Sequence, residues 1–67
     1  MPFVNIRMVE GPASEEQKAE IAREITDLLQ RVLGKDPVNT HIAFEEFSAE
    51  NWAIKGKLVK KLREDAQ

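Results

Sequence analysis

Two stretches of alternating apolar residues stand about thirty residues apart with one amphipathic helix between them, and this spacing restricts the fold more than any other feature. In the first, 2–9, Pro2, Val4, Ile6 and Met8 take one face of a strand, and Phe3, Asn5, Arg7 and Val9 take the other. In the second, "NTHIAFEEF", Thr40, Ile42 and Phe44 oppose His41, Ala43 and Glu45. A long crossover holding a helix joins parallel strands with right-handed chirality. The expectation is therefore a β-α-β unit of the α/β (α+β) class, built from a single domain spanning 1–67.

The intervening helix has readable ends. Ser14 followed three residues later by Gln17 is a capping box, in which each side chain satisfies a backbone N–H that the helix cannot. Glu15 and Glu16 occupy the first turn, where the helix dipole favours negative charge. Ile21, Ile25, Leu28 and Val32, with Ala22, Leu29 and Leu33, then form one apolar stripe. Gly34 suits the left-handed residue that ends a helix, and Asp36-Pro37 prevents continuation. Beyond the second strand, "SAEN" reads as a turn and "WAI" as a short strand broken at Gly56. In the tail, Leu58, Val59 and Leu62 have helical spacing.

One helix over two strands leaves a bare sheet face and two open edges. A domain of this length buries only about 60% of its unfolded surface. Small domains compensate with disulfides, metals or partner subunits, and this chain has no Cys and one His. Parallel sheets are covered on both faces, and open edges invite pairing, so a homo-oligomer is expected.

The charge balance excludes other partners. With a net charge of −2 and 33% charged residues, neither nucleic acid nor an anionic membrane is attracted. Lys55, Lys57, Lys60 and Lys61 form a short basic cluster balanced by Glu64 and Asp65, which reads as a solvated helix face. No apolar run approaches the roughly 20 residues needed to span a bilayer. With no signal-peptide pattern either, the cytoplasm is the expected location. Glycine-rich phosphate loops, nucleophile elbows and metal-ligand clusters are absent from the sequence, so no cofactor and no metal are expected.

The start, "MPFVNIRMVEG", raises a chemical possibility. Methionine before a small residue is normally trimmed, which would leave Pro2 with a free secondary amine on a rigid ring. Such an amine is a base when uncharged. Apolar surroundings and nearby cations both disfavour its protonated form, and a base works best when its pKa matches the working pH.

The succession of Pro2, a strand, the Glu10-Gly11 turn, the Ser14-Glu15-Glu16-Gln17-Lys18 helix start, the turn at Pro37, a second strand reaching Glu46 and Asn51-Trp52-Ala53-Ile54-Lys55-Gly56 resembles the tautomerase superfamily, specifically its short-chain 4-oxalocrotonate tautomerase group. The resemblance runs from Pro2 to about Val59 and implies a tautomerase-like fold with a short C-terminal β-hairpin and a short C-terminal helix. It also implies a homo-oligomer, a hexamer built as a trimer of dimers. The implied activity is cofactor-independent proton transfer on a small enol or unsaturated keto acid, with Pro2 as general base. In place of the family's two arginines stand Pro12-Ala13 and His41. The aromatic wall corresponds to Trp52. The resemblance thus gives Pro2 as catalytic base and Trp52 as wall; His41, Arg7 and Lys55 are candidate substrate-binding replacements for the missing arginines, and Phe3 adds apolar substrate-binding surface. Related proline-dependent hydration, dehalogenation or decarboxylation is an alternative, as is a non-catalytic interaction protein of the same fold.

Overall fold

A computed structural model describes residues 1–11 and 13–66. Strand β1, Phe3–Val9, leads through a turn to helix α1, Glu15–Leu33, followed by a 3-10 turn at Pro37–Asn39 and strand β2, His41–Phe47. A second 3-10 turn, Ala49–Asn51, precedes the short strands β3, Ala53–Ile54, and β4, Lys57–Leu58, and helix α2, Val59–Asp65. Strands β1 and β2 are parallel, in a register that pairs Phe3 with His41, Ile6 with Phe44 and Val9 with Phe47. Strands β3 and β4 form a separate antiparallel hairpin.

The ends of α1 are those the sequence specifies. Gln17 N–H donates to Ser14 Oγ at 3.1 Å, and Ser14 N–H donates to Gln17 Oε1 at 2.8 Å, completing the capping box. Gly34 closes the helix with φ 67° and donates its N–H to the Gln30 carbonyl. Lys18 on α1 pairs with Glu46 on β2, placing the helix over the sheet face that carries Val4, Ile6, Met8, Ile42 and Phe44. Those five residues are half-buried, as are Ile21, Ala22, Ile25 and Leu29 of the helix.

The rest of the helix stripe behaves differently. Leu28, Val32 and Leu33 are exposed, Val32 to 65%. A 19-residue helix is about 28 Å long and a seven-residue strand about 23 Å, so the last turn of α1 overhangs the sheet.

Two further details depart from the sequence expectation. Trp52 ends the 3-10 turn rather than joining a strand, and Leu58 lies in β4 rather than in the tail helix. Residues Lys55 and Gly56 form the two-residue hairpin turn, with φ 54° and 80°. Positive φ at both central positions is the type I′ geometry that matches strand twist. Gly56 adopts it freely, whereas a lysine there costs about 1–2 kcal/mol.

Only Ala49 and Val59 are buried among the described residues, each still 6% exposed. The chain exposes 5325 Å², against about 4300 Å² for a folded protein of 7.6 kDa. Its radius of gyration is 15.5 Å, where about 11 Å is usual for this length. The isolated chain is thus an elongated fragment of a core rather than a closed one. Among the described residues, no helix is long and apolar enough to cross a membrane.

Candidate active site

The register of the parallel pair decides which candidate residues meet. Pro2 immediately precedes β1, and its carbonyl accepts the backbone N–H of His41 at 3.0 Å. Phe3 is the direct partner of His41 across the pair. By strand alternation, Phe3 and His41 share the bare face, while Pro2 falls on the helix side and is half-buried. Pro2, Phe3 and His41 therefore cluster at one end of the sheet. Phe3 is 66% exposed and Met1, ahead of them, 81%.

Arg7 is not part of that cluster. It lies five residues along β1, about 16 Å from Pro2, and on the opposite face. Its Nε donates to Asn5 Oδ1 at 2.9 Å and approaches Glu45 Oε1 at 3.3 Å. An exposed ion pair within the chain engages this guanidinium on the sheet face away from Pro2. Glu45 and Glu46 point to opposite faces, one toward Arg7 and the other toward Lys18, so they form no acid pair.

Trp52 stands at the other end of the sheet. Its ring packs at 5.7 Å and 59° against Phe47, the last residue of β2. His41 and Phe47 are the two ends of one strand, about 20 Å apart. Lys55 is farther out, at the hairpin tip. A single copy therefore separates the base candidate from the aromatic and cationic candidates by the length of β2. Pro12 lies outside the described residues; Ala13, beside it, is half-buried.

Glu10, which the sequence marks only as half of the Glu10-Gly11 turn, joins these distant parts. Glu10, just past β1, donates its N–H to the Phe47 carbonyl and accepts from Ala49 N–H through Oε1 at 3.2 Å. Its carbonyl accepts from Arg63 Nη2 at 2.8 Å. The hairpin is closed by Val59 N–H donating to the Trp52 carbonyl at 2.8 Å. Glu10 thus ties β1, the second 3-10 turn and α2 together and sets where Trp52 and Lys55 project. Nothing local marks this linking role, because its partners are some forty and fifty residues away.

Concavities of the isolated chain run along α1: one of about 450 Å³ is lined by Ser14, Glu15, Glu16 and Ala19, a second by Ala13, Gln17, Glu20, Ile21 and Glu24, and a third by Glu24, Asp27, Leu28 and Arg31. Each carries acidic side chains and opens to solvent, and none of these three includes Pro2 or His41. Among the described residues, no three His, Asp or Glu side chains converge as a metal site would require.

The profile of the tautomerase enzyme family matches residues 2–62. The chain is 39% identical over 66 residues to probable tautomerase K2 of Dickeya dadantii, covering 98% of each. It is 37% identical over 62 residues to a 2-hydroxymuconate tautomerase of Comamonas testosteroni, covering 92% of this chain and 97% of that one. A solved heterohexamer 4-oxalocrotonate tautomerase from Chloroflexus aurantiacus superposes with a TM-score of 0.82 at 28% identity, covering 94% of this chain and 100% of that one.

Proposed function

The chain belongs to the tautomerase family, and from that premise we propose that it is a cofactor-independent isomerase using the Pro2 nitrogen as general base on a small enol or unsaturated keto acid. With Met1 attached, that nitrogen is a tertiary amide with no basicity. Removal of Met1 makes it a secondary amine. The neutral amine takes the proton from the enol oxygen of the substrate; the resulting prolinium returns a proton to carbon, so the carbonyl forms without any external oxidant or reductant.

The observation that carries this reading is the anchoring of Pro2. The His41 N–H holds its carbonyl at 3.0 Å, which fixes half-buried Pro2 at the sheet end, next to exposed Met1. Phe3 supplies exposed apolar surface at the same sheet end, on the opposite face. The His41 imidazole, on the same strand end, donates to the oxygen on which charge develops.

Trp52 and Lys55 reach such a site only from another copy, since within one chain β2 separates them from Pro2. The large exposed surface and extended shape support assembly. By analogy with the heterohexameric relative, we assign a hexamer built from dimers. Its subunit contacts exclude water from Pro2 and so keep the amine uncharged.

Intact mass tests the first requirement, removal of Met1. Phenylenolpyruvate ketonisation then compares wild type with Pro2→Ala and His41→Ala. Equal rates for wild type and Pro2→Ala would refute the proposed base. The absence of both family arginines favours a second reading, a non-catalytic assembly protein. That reading requires no turnover across a panel of enol and hydroxydienoate acids by the trimmed wild type.

A further inference from the structure

We propose that Lys55 binds the carboxylate of the substrate, carried on the hairpin of one subunit to the Pro2 of another. The proposal rests on the proline-base reading and names the contact that replaces the two missing arginines. Several other cations are already engaged within the chain. Arg7 is held by Asn5 and Glu45, Lys18 by Glu46, Lys61 by Asp65, and Arg63 by the Glu10 carbonyl. Like Arg23, Arg31, Lys35, Lys57 and Lys60, Lys55 makes no side-chain hydrogen bond or ion pair with the described residues, and of these six it is the one held at positive φ on the hairpin tip beyond Trp52.

Its backbone gives the second observation. Lys55 takes φ 54° at the first central position of a type I′ turn, a place suited to Asn, Asp or Gly. A lysine there breaks the local rule, and nothing within the chain compensates. Backbone conformations of this kind concentrate where function requires a particular side chain.

The surroundings give the third. Ile54 and Leu58 flank the turn on the hairpin, 51% and 48% exposed. Apolar side chains beside the tip invite cover by a second copy, and an ammonium brought into that contact requires an anionic partner. The proposed substrate supplies one carboxylate. Trp52 lies three residues from Lys55 on the same unit, so the tip that brings the aromatic wall also brings the charge.

The experiment uses the trimmed full-length protein and the inert acid 3-phenylpropionate, with fluorescence of Trp52, the sole tryptophan, as the binding signal. Lys55→Asn suits the turn, so it leaves folding and assembly intact. Its Kd for the probe rises about 10- to 100-fold, the worth of a charge-assisted hydrogen bond. The KM for phenylenolpyruvate rises in parallel while kcat stays within about threefold, the pattern of lost uniform binding. The methyl ester, which lacks the carboxylate, is unaffected, and Lys55→Arg retains wild-type binding. Equal Kd values for wild type and Lys55→Asn, no quenching by the probe in wild type, or an equal loss on the ester would each overturn the proposal. So would dissociation of the Lys55→Asn oligomer, which would assign the ammonium to a carboxylate of the neighbouring subunit. Pro2→Ala separates the two claims: full turnover by that variant defeats the proline-base reading, while the Kd ratio still decides the role of Lys55.

Discussion

The residue that opens β2 holds the residue that precedes β1: His41 donates its backbone N–H to the Pro2 carbonyl at 3.0 Å. The contact needs only the main chain of His41, so its imidazole stays free for a separate task. It also places the proposed base at a rigid strand end rather than on a loose terminus. The predictions below follow from this anchoring and from the open surfaces around it.

The first concerns pH. A general base acts only when deprotonated, so kcat/KM falls as pH drops through the pKa of the Pro2 amine and levels off above it. An ordinary α-amino group titrates at about 7.7–8.0; the proposed exclusion of water by neighbouring subunits predicts a lower midpoint for Pro2. The ascending limb of kcat/KM and a 15N titration of Pro2 share one midpoint. Protein that retains Met1 loses about 10²- to 10⁴-fold in rate, the usual contribution of general acid–base catalysis.

Assembly is tested at the overhanging end of α1. Val32 is exposed in the isolated chain, and there a surface substitution shifts stability by no more than about 0.5 kcal/mol. In a hexamer that covers this patch, Val32→Glu instead buries a carboxylate against apolar side chains. Sedimentation velocity will show smaller species for this variant. Wild-type Tm will rise with protein concentration, as expected when subunits bind only the folded state. An unchanged hexamer in the variant would remove this patch from the interface.

Capping of α1 is a local matter. Ser14→Ala removes the acceptor for the Gln17 N–H, and urea denaturation will show a loss of about 0.5–2 kcal/mol.

Glu10 links the hairpin to the sheet. Glu10→Ala strands the N–H of buried Ala49, at about 1–3 kcal/mol for an unsatisfied buried donor. Trp52 emission shifts as the C-terminal unit loosens. Glu10→Gln retains an oxygen acceptor and restores most of both properties. Identical stability for the Ala and Gln variants would show that the Ala49 contact contributes nothing.

Much of the fold was legible because its signals are short-range. The capping box of Ser14 and Gln17, the left-handed Gly34 and the period-two runs in β1 and β2 each act within a few residues. The parallel pairing followed from the crossover, which is too long for a hairpin. The C-terminal turn was less legible. Lys55-Gly56 is not a favoured type I′ pair, so Leu58 looked like part of a helix rather than of β4. The link through Glu10 left no local trace.

By itself, the sequence determined the β-α-β unit, the two ends of α1, the shortage of core in a single copy and the residue types available for chemistry. Periodicity, capping and chain length act along the backbone and need no partner. The tertiary structure alone decided which of those residues meet. Register set Phe3 and His41 beside Pro2, engaged Arg7 with Glu45, and left Trp52 and Lys55 a strand's length away. Proximity across a sheet depends on pairing between segments far apart in the chain, and a strand of seven residues is long enough to keep its two ends from serving one site without a second subunit.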